Sequence, residues 1–271
     1  MSRNSPAIRG ETSEVFVSKD IQPLLDGWEF DPGSVNVRIV RGVEGREKVQ
    51  MRVDLGLLQM EMDGRPDGTR PHGAESLLDH FAAKANAAKT DSSDEFRLSD
   101  QDYEELLREQ AQYYFRYLSF FHLRRYDLAA RDTARNLRLF AFVRQFGSTE
   151  QAKWRFDQYR PYVLMMNTRA RALPGYDAKQ YREALEIVDE GIAAIREFLA
   201  EHELQDQEEE CQELEFLKRW RNEIDSQRPL DASEKLQRQL DQAIQNENYE
   251  RAALLRDQIR KLTTPRPAGS S

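Results

Sequence analysis

SDQDYEELLREQAQYYFRYLSFFHLRRYDLAARDTARNLRLFAFVRQFG, residues 99–147, reads as two amphipathic helices joined by a short turn. Ser99 with Asp102 three residues on is a helix-start signal. From there Leu106, Leu107, Gln110, Tyr113, Tyr114, Tyr117, Leu118 and Phe121 recur at helical spacing, to about Leu123. A second run, residues 127–146, carries Ala130, Ala134, Leu137, Phe140, Ala141 and Val143, and Gly147 ends it. So short a connection makes the two helices antiparallel neighbours. Outward from this pair the pattern continues. A third helix is expected over 149–172, kinked or divided at Pro161, with Pro174-Gly175 as its stop. A fourth is expected over 178–200, and an acidic fifth over 205–224. The fold class is therefore mainly α, with a small β unit before it.

Two of these helices open alike. Tyr126-Asp127-Leu128-Ala129 and Tyr181-Arg182-Glu183-Ala184 put an aromatic and a small residue one turn apart on the same face. This resembles the second helix of a tetratricopeptide repeat, where an aromatic precedes alanine by three residues. The two copies stand 55 residues apart, not 34, and the tryptophan, leucine and glycine of that repeat's first helix are missing. The resemblance implies a repeat-like helical domain over 99–228 that binds a protein segment on its concave side. An ordinary helical bundle is the alternative.

Before the helices, VNVRIV at 35–40 alternates apolar and polar residues. After Gly42–Gly45, Val49, Met51 and Val53 alternate again, and LLQMEM resumes the pattern beyond Gly56. Period two predicts a three-stranded antiparallel meander. A bare sheet this small needs a cover, and the helical run 74–88 is the expected one. Residues 31–88 thus form a strand-rich unit, preceded by a flexible tail over 1–30 and followed by a linker over 89–98. Within it, DGRPDGTRPHG at 63–73 is a shaped loop, in which Arg65, Arg70 and His72 suit a phosphate or a carboxylate. It lacks the lysine and the Ser/Thr that close a P-loop.

At the other end, residues 229–264 form a helical hairpin, with a disordered tail expected over 265–271. One helix covers 232–245 with Leu236, Leu240, Ala243 and Ile244 toward one side. The other covers 249–262 with Ala252, Ala253, Leu255, Arg256, Ile259 and Leu262. Helices this short leave apolar area exposed and need each other and a further partner. Leu240, Tyr249, Ala252, Ala253 and Ile259 are expected to make the inner surface.

The stretch EKLQRQLDQAIQNENYERAALLRDQIRKL, 234–262, resembles the UVR motif of the excision-repair proteins UvrB and UvrC. Leu240 and Ala243 stand at its first-helix apolar positions. Tyr249-Glu250 replaces the usual Phe-Glu, and Ala252-Ala253 and Arg256-Asp257 with Ile259 match the second helix. The resemblance implies protein–protein contact in a bacterium. The implied partner is another UVR-containing protein, a stress-proteolysis component or a second copy. The motif also occurs in an activator of a bacterial protein arginine kinase and in a Clp-family chaperone. Here the Cys-x-x-Cys pairs of the one and the ATPase motifs of the other are missing, as is the P-loop of the UvrB helicase. The block VDLGLLQMEMDGRPDG at 53–68 is similar to that of bacterial proteins characterised only by carrying this motif.

Composition bounds the rest. The 271 residues are 39% hydrophobic and 32% charged, which favours extended helical packing over one deep core. No apolar run approaches the roughly 18 residues of a membrane span, and the N-terminus has no signal-peptide core. The single cysteine, Cys211, excludes an internal disulfide framework and a multi-cysteine zinc site, and a cytoplasmic location is expected. Net charge is −8 overall, but residues 99–175 carry +4 and residues 176–228 carry −9. His72, His80, His122 and His202 make no convincing catalytic set, and no catalytic residue, cofactor or metal is expected. These features together point to a non-catalytic adaptor or scaffold. Its docking residues are Leu236, Leu240, Ala243, Tyr249, Ala252, Ala253, Arg256, Asp257, Ile259 and Leu262, with the helical domain as a further surface. The alternatives are a nucleic-acid-associated repair accessory using the basic residues of 116–171, and an enzyme using the 63–73 loop. Nucleic acid is not expected as a direct tight ligand, since the whole chain is acidic.

Overall fold

The computed structural model describes residues 20–90, 96–230 and 232–263. Strands β1 (Asn36–Arg41), β2 (Glu47–Val53) and β3 (Gly56–Glu61) form the expected antiparallel meander in the order β1-β2-β3. Val49 pairs with Ile39 and Met60, which sets the apolar side chains on one face. On the other face Arg38, Gln50 and Gln59 lie side by side and form a polar ladder. Arg38 Nε donates to Gln50 Oε1 at 2.8 Å, and Gln50 Nε2 donates to Gln59 Oε1 at 2.9 Å. The Arg38 guanidinium also lies 3.9 Å from the Trp28 ring and donates to the carbonyl of Leu24 in the short helix α1 (Gln22–Leu25). Residues 20–30, expected as part of a flexible tail, are therefore packed on the sheet. The rest of that tail, residues 1–19, and the expected tail over 265–271 lie outside the described residues.

The cover of the sheet differs from the expected one. Helix α2 (Leu77–Thr90) does not lie on it. Val49, Met51 and Met60 pack instead against Phe120 and Ala129, from the two helices that follow. The cause lies at the start of α2, where the Glu109 carboxylate accepts from the backbone N–H groups of Leu77, at 2.8 Å, and Leu78. A helix N-terminus has no intrahelical partner for these groups, so a buried anion there fixes its place. Leu77, Leu78 and Phe81 then join a core with Leu106, Leu139 and Phe140. The end of the expected linker enters that same core: Leu98 is buried, and its N–H donates to the Phe146 carbonyl. Residues 91–95 are outside the described ones.

Helices α3 (Asp100–His122) and α4 (Tyr126–Phe146) match the reading of residues 99–147, and Ser99 and Asp102 form a complete capping box. The third expected helix is two. Helix α5 (Glu150–Asp157) starts at the Thr149 cap, and α6 (Arg160–Asp177) starts with Pro161 in its first turn. Proline has no N–H to leave unsatisfied there, so it begins a helix rather than kinking one. Pro174-Gly175 is not a stop, and α6 runs through it to Asp177. The proline sits in the last turn, and the helix end is completed by bonds from Ala178 N to Pro174 O and from Gln180 N to Gly175 O. Helix α7 (Tyr181–Glu201) follows, then a 3₁₀ segment over Gln205–Glu210, where the acidic helix was expected to begin. Helix α8 is Gln212–Gln227. Successive helices pack in order, α4 on α3 and α6, α7 on α6 and α8. Arg219, Asn222, Glu223 and Ser226 leave α8 a polar outer face. Among the described residues no helix is long and apolar enough to cross a membrane.

One turn recurs. Arg124, Lys179, Glu203 and Glu247 each adopt a φ of 55–61° just after a helix. In each case the N–H of the next residue donates to the carbonyl five residues back: Arg125 to Phe120, Gln180 to Gly175, Leu204 to Leu199, and Asn248 to Ala243, at 2.7–2.8 Å. This is the left-handed helix stop usually made by glycine, made here by long polar residues. Three of the four are followed by Tyr-x-x-Ala: Tyr126 and Ala129, Tyr181 and Ala184, Tyr249 and Ala252. All three alanines are buried, at 1%, 0% and 7% exposure. The turn of the terminal hairpin is thus the same device as those of the helical body.

Candidate interaction surface

The terminal hairpin is α9 (Ala232–Gln245) and α10 (Tyr249–Thr263), packed antiparallel. Its own small core is Ala243, Ala252 and Leu255, with Leu236 and Leu240 partly buried against them, and among the described residues no side chain of the body enters that set. Arg228 ties the hairpin to the end of α8. It forms two hydrogen bonds to Glu234, at 2.7 and 2.8 Å, and one to Asp225.

Two of the residues expected inside are outside. Tyr249 is 69% exposed and Ala253 is exposed, whereas Leu240 and Ile259 are partly buried. At about 100° per residue, Ala252, Leu255 and Ile259 share one stripe, Tyr249 falls beside it, and Ala253 turns away. Ile244 and Leu254 are exposed as well, at 51% and 67%. Leu254 carries no mark in the sequence beyond being apolar. Arg256 is exposed and Asp257 half-buried, and they stand 4.0 Å apart, an ion pair of little energetic weight. Leu262 lies in the last turns of α10, and its side chain is outside the described ones.

The position of Tyr249 gains meaning from the repeated turn. In the body, the tyrosine after each such turn meets the aromatic five residues earlier: Tyr126 edge-on to Phe121 at 5.5 Å, Tyr181 to Tyr176 at 6.1 Å. Tyr176 is in turn covered by Trp220 of α8. In the hairpin the corresponding pair is Ile244 and Tyr249, and both stand exposed.

The 63–73 loop has its polar groups engaged from within. Arg65 pairs with Glu109 and with Asp67, at 3.0 and 3.2 Å, and Asp67 accepts from Gln112 of α3. Arg70 pairs with Glu75 at the surface, and His72 stacks on His80 at 4.1 Å, where burial lowers the His80 pKa. Arg65 and Arg70 line one open cavity of about 680 Å³, whereas His72 is not part of its lining. Beneath the loop runs a buried charge network that periodicity gave no sign of. Glu109, fully buried, bonds to Arg135, and Arg116 grips Asp132 with two bonds of 2.6 and 3.0 Å. Arg131 links Asp132 to Asp63 of the loop and to the carbonyl of Met62 just before it.

Asp157, Glu201 and His202 form the one cluster with metal-ligand chemistry among the described residues. Arg160 already bonds to both carboxylates, and His202 Nε2 lies 2.7 Å from Asp157 Oδ2. Burial raises the Asp157 pKa despite the histidine. The group is a polar clasp between α5, α6 and α7, in which Asp157 Oδ1 and Arg160 Nε are buried without a hydrogen-bond partner among the described residues. Burial also raises the thiol pKa of Cys211, which disfavours the reactive thiolate.

No curated protein matches the chain, and no solved structure does. Residues 234–263 match the UvrB/uvrC motif, so the helical hairpin that ends the described chain carries that motif and points to a role in protein or nucleic-acid interaction.

Proposed function

We propose that this protein is a non-catalytic adaptor whose terminal hairpin docks a helical partner, in the first instance a second hairpin of its own kind. The observation that carries this is the exposed Ile244–Tyr249 pair. In the corresponding pair of the body, Tyr176 and Tyr181, Tyr176 is met by Trp220 of the following helix. A hairpin built on the same turn leaves that place open, and an apolar side chain from a partner helix fills it. Leu254 adds apolar area on α10. Burial of such side chains contributes roughly 25 cal/mol per Å² before ordering costs.

The body supplies a second surface under the same reading. Tyr114, Tyr159 and Tyr162 line a groove of about 410 Å³ between α3 and α6. A protein partner is favoured over nucleic acid by where the basic residues go. Arg116, Arg131, Arg135, Arg144, Arg155, Arg160 and Arg171 all pair with carboxylates of this chain. Arg169 lies between the rings of Phe121 and Phe216. Few guanidinium groups of the positive segment remain for phosphates.

The test is sedimentation velocity of the full chain over a range of concentrations, beside Tyr249→Asp. Tyr249 is exposed at the start of α10, where an aspartate suits the helix, so the variant keeps its fold. The wild type is expected to associate, and the variant to do so at least about tenfold more weakly, since a charge is desolvated at the contact. A wild type that stays monomeric at every concentration, or a variant that associates equally, contradicts the second-copy reading.

A further inference from the structure

We propose that the cavity between the 63–73 loop and α4 is a binding site for a small oxyanion, a carboxylate or a phosphate group. The cavity has a volume of about 190 Å³. Four arginines line it: Arg116 from α3, and Arg131, Arg135 and Arg138 from one side of α4. Positions 131, 135 and 138 are spaced by a helical turn, so they form a row along that helix. Against them stand three carboxylates, those of Glu75, Asp79 and Asp132. The lining itself holds four guanidinium groups against three carboxylates, and Arg131 pairs as well with Asp63 of the loop.

The carboxylates already have partners. Asp132 is held by Arg116 and Arg131. Glu75 turns out to Arg70, and Asp79 accepts from the hydroxyl of Ser76. The donors are less fully matched. Arg135 is 5% exposed, with its Nη atoms directed to Glu109 and Asn136, and its buried Nε–H meets no acceptor. Arg138 is exposed and makes no ion pair among the described residues. A buried donor without an acceptor is costly, and a guanidinium selects planar or tetrahedral oxyanions by its fixed fork of N–H groups. Desolvation lowers the Arg135 pKa to about 9, which still leaves it charged near neutral pH. An oxyanion seated here gives Arg135 its missing acceptor and Arg138 a counter-charge. It also bridges α4 to the loop, whose Gly64 lines the same cavity. The site differs from one built on Arg65, Arg70 and His72, because its donors come from α4.

The experiment is thermal unfolding and calorimetric titration of the full chain with inorganic phosphate and, separately, with acetate, at constant ionic strength held by chloride. The same titrations are run on Arg138→Gln. A saturable stabilisation is expected with one or both anions: phosphate alone identifies a phosphoryl group, acetate alone a carboxylate, and both together their shared chemistry. In Arg138→Gln the apparent affinity falls about tenfold, the loss of one charge-assisted contact. Arg138 supports no ion pair among the described residues, so this variant folds as the wild type, which circular dichroism checks. No saturable effect of either anion, or an equal effect in Arg138→Gln, overturns the proposal.

Discussion

Replacing Glu109 by alanine is expected to lower the unfolding free energy by roughly 3–5 kcal/mol, the usual cost of leaving a buried charge without its partner. Glu109 is fully buried on α3 and serves three elements together. Its carboxylate holds Arg135 of α4 and lies 3.0 Å from Arg65 Nε of the loop. It also accepts from the first two N–H groups of α2. Alanine strands one guanidinium that is 5% exposed and leaves the start of α2 without its acceptor. Glu109→Gln keeps an acceptor for α2 but not the charge, so it is expected to lose less. Urea denaturation followed by circular dichroism orders the three proteins. A Glu109→Ala midpoint equal to that of the wild type contradicts the central place given to this network.

Gly191→Ala is expected to be nearly as damaging, at the upper end of roughly 1–3 kcal/mol for overpacking. Gly191 lies in the middle of α7, where alanine would ordinarily favour the helix by about 1 kcal/mol. Here a Cβ would stand 2.1 Å from Thr168 Oγ1 and 2.9 Å from Thr168 Cβ, on the facing side of α6. Thr168 is 3% exposed and branched at Cβ, so it cannot swing aside. The sign of the effect is therefore opposite to the propensity. Thr168→Ala combined with Gly191→Ala should recover most of the loss. Equal stability of Gly191→Ala and wild type, read from thermal unfolding, would show that α6 and α7 do not approach this closely.

What the sequence made legible was whatever repeats along it. The strands followed from alternation at Val49, Met51 and Val53, and the long helices from their apolar spacing. Tyr-x-x-Ala marked two turns, and its third occurrence at Tyr249 shows that the hairpin uses the same turn. The signal for that was present in the sequence. Periodicity is silent about partners across space. Glu109 and Arg116 look like ordinary polar residues within an apolar stripe, yet both are buried because their opposite charges arrive from α4. Alternation also shows that a sheet has an apolar face without saying which helix covers it, and so α2 seemed the nearest cover. Pro161 divides the third run, as its sequence position implies, whereas Pro174 sits where the last turn of a helix tolerates it and is no stop. In the hairpin, an apolar count cannot separate the residues two helices bury between themselves from those kept for a partner. Ala252 and Leu255 are buried between the two helices, whereas Tyr249 and Leu254, equally apolar, are exposed.

The two surfaces differ in physical character. The hairpin joins the body through a short connection braced by Arg228, and its core is limited to a few small side chains. So small a core supports little stability alone, and a partner that covers Ile244 and Tyr249 adds to it. The body is held by three apolar clusters and the buried arginine network, and does not depend on that partner. Association is therefore expected to stabilise the hairpin and leave the body as it was.

Hydrogen–deuterium exchange of the full chain, at protein concentrations below and above those at which it associates, tests that claim most directly. Backbone amides around residues 243–255 are expected to gain protection as concentration rises, while those of α6 and α7 keep the same protection throughout. Unchanged exchange in the hairpin on association, or protection gained in the body instead, would contradict its role as the docking module.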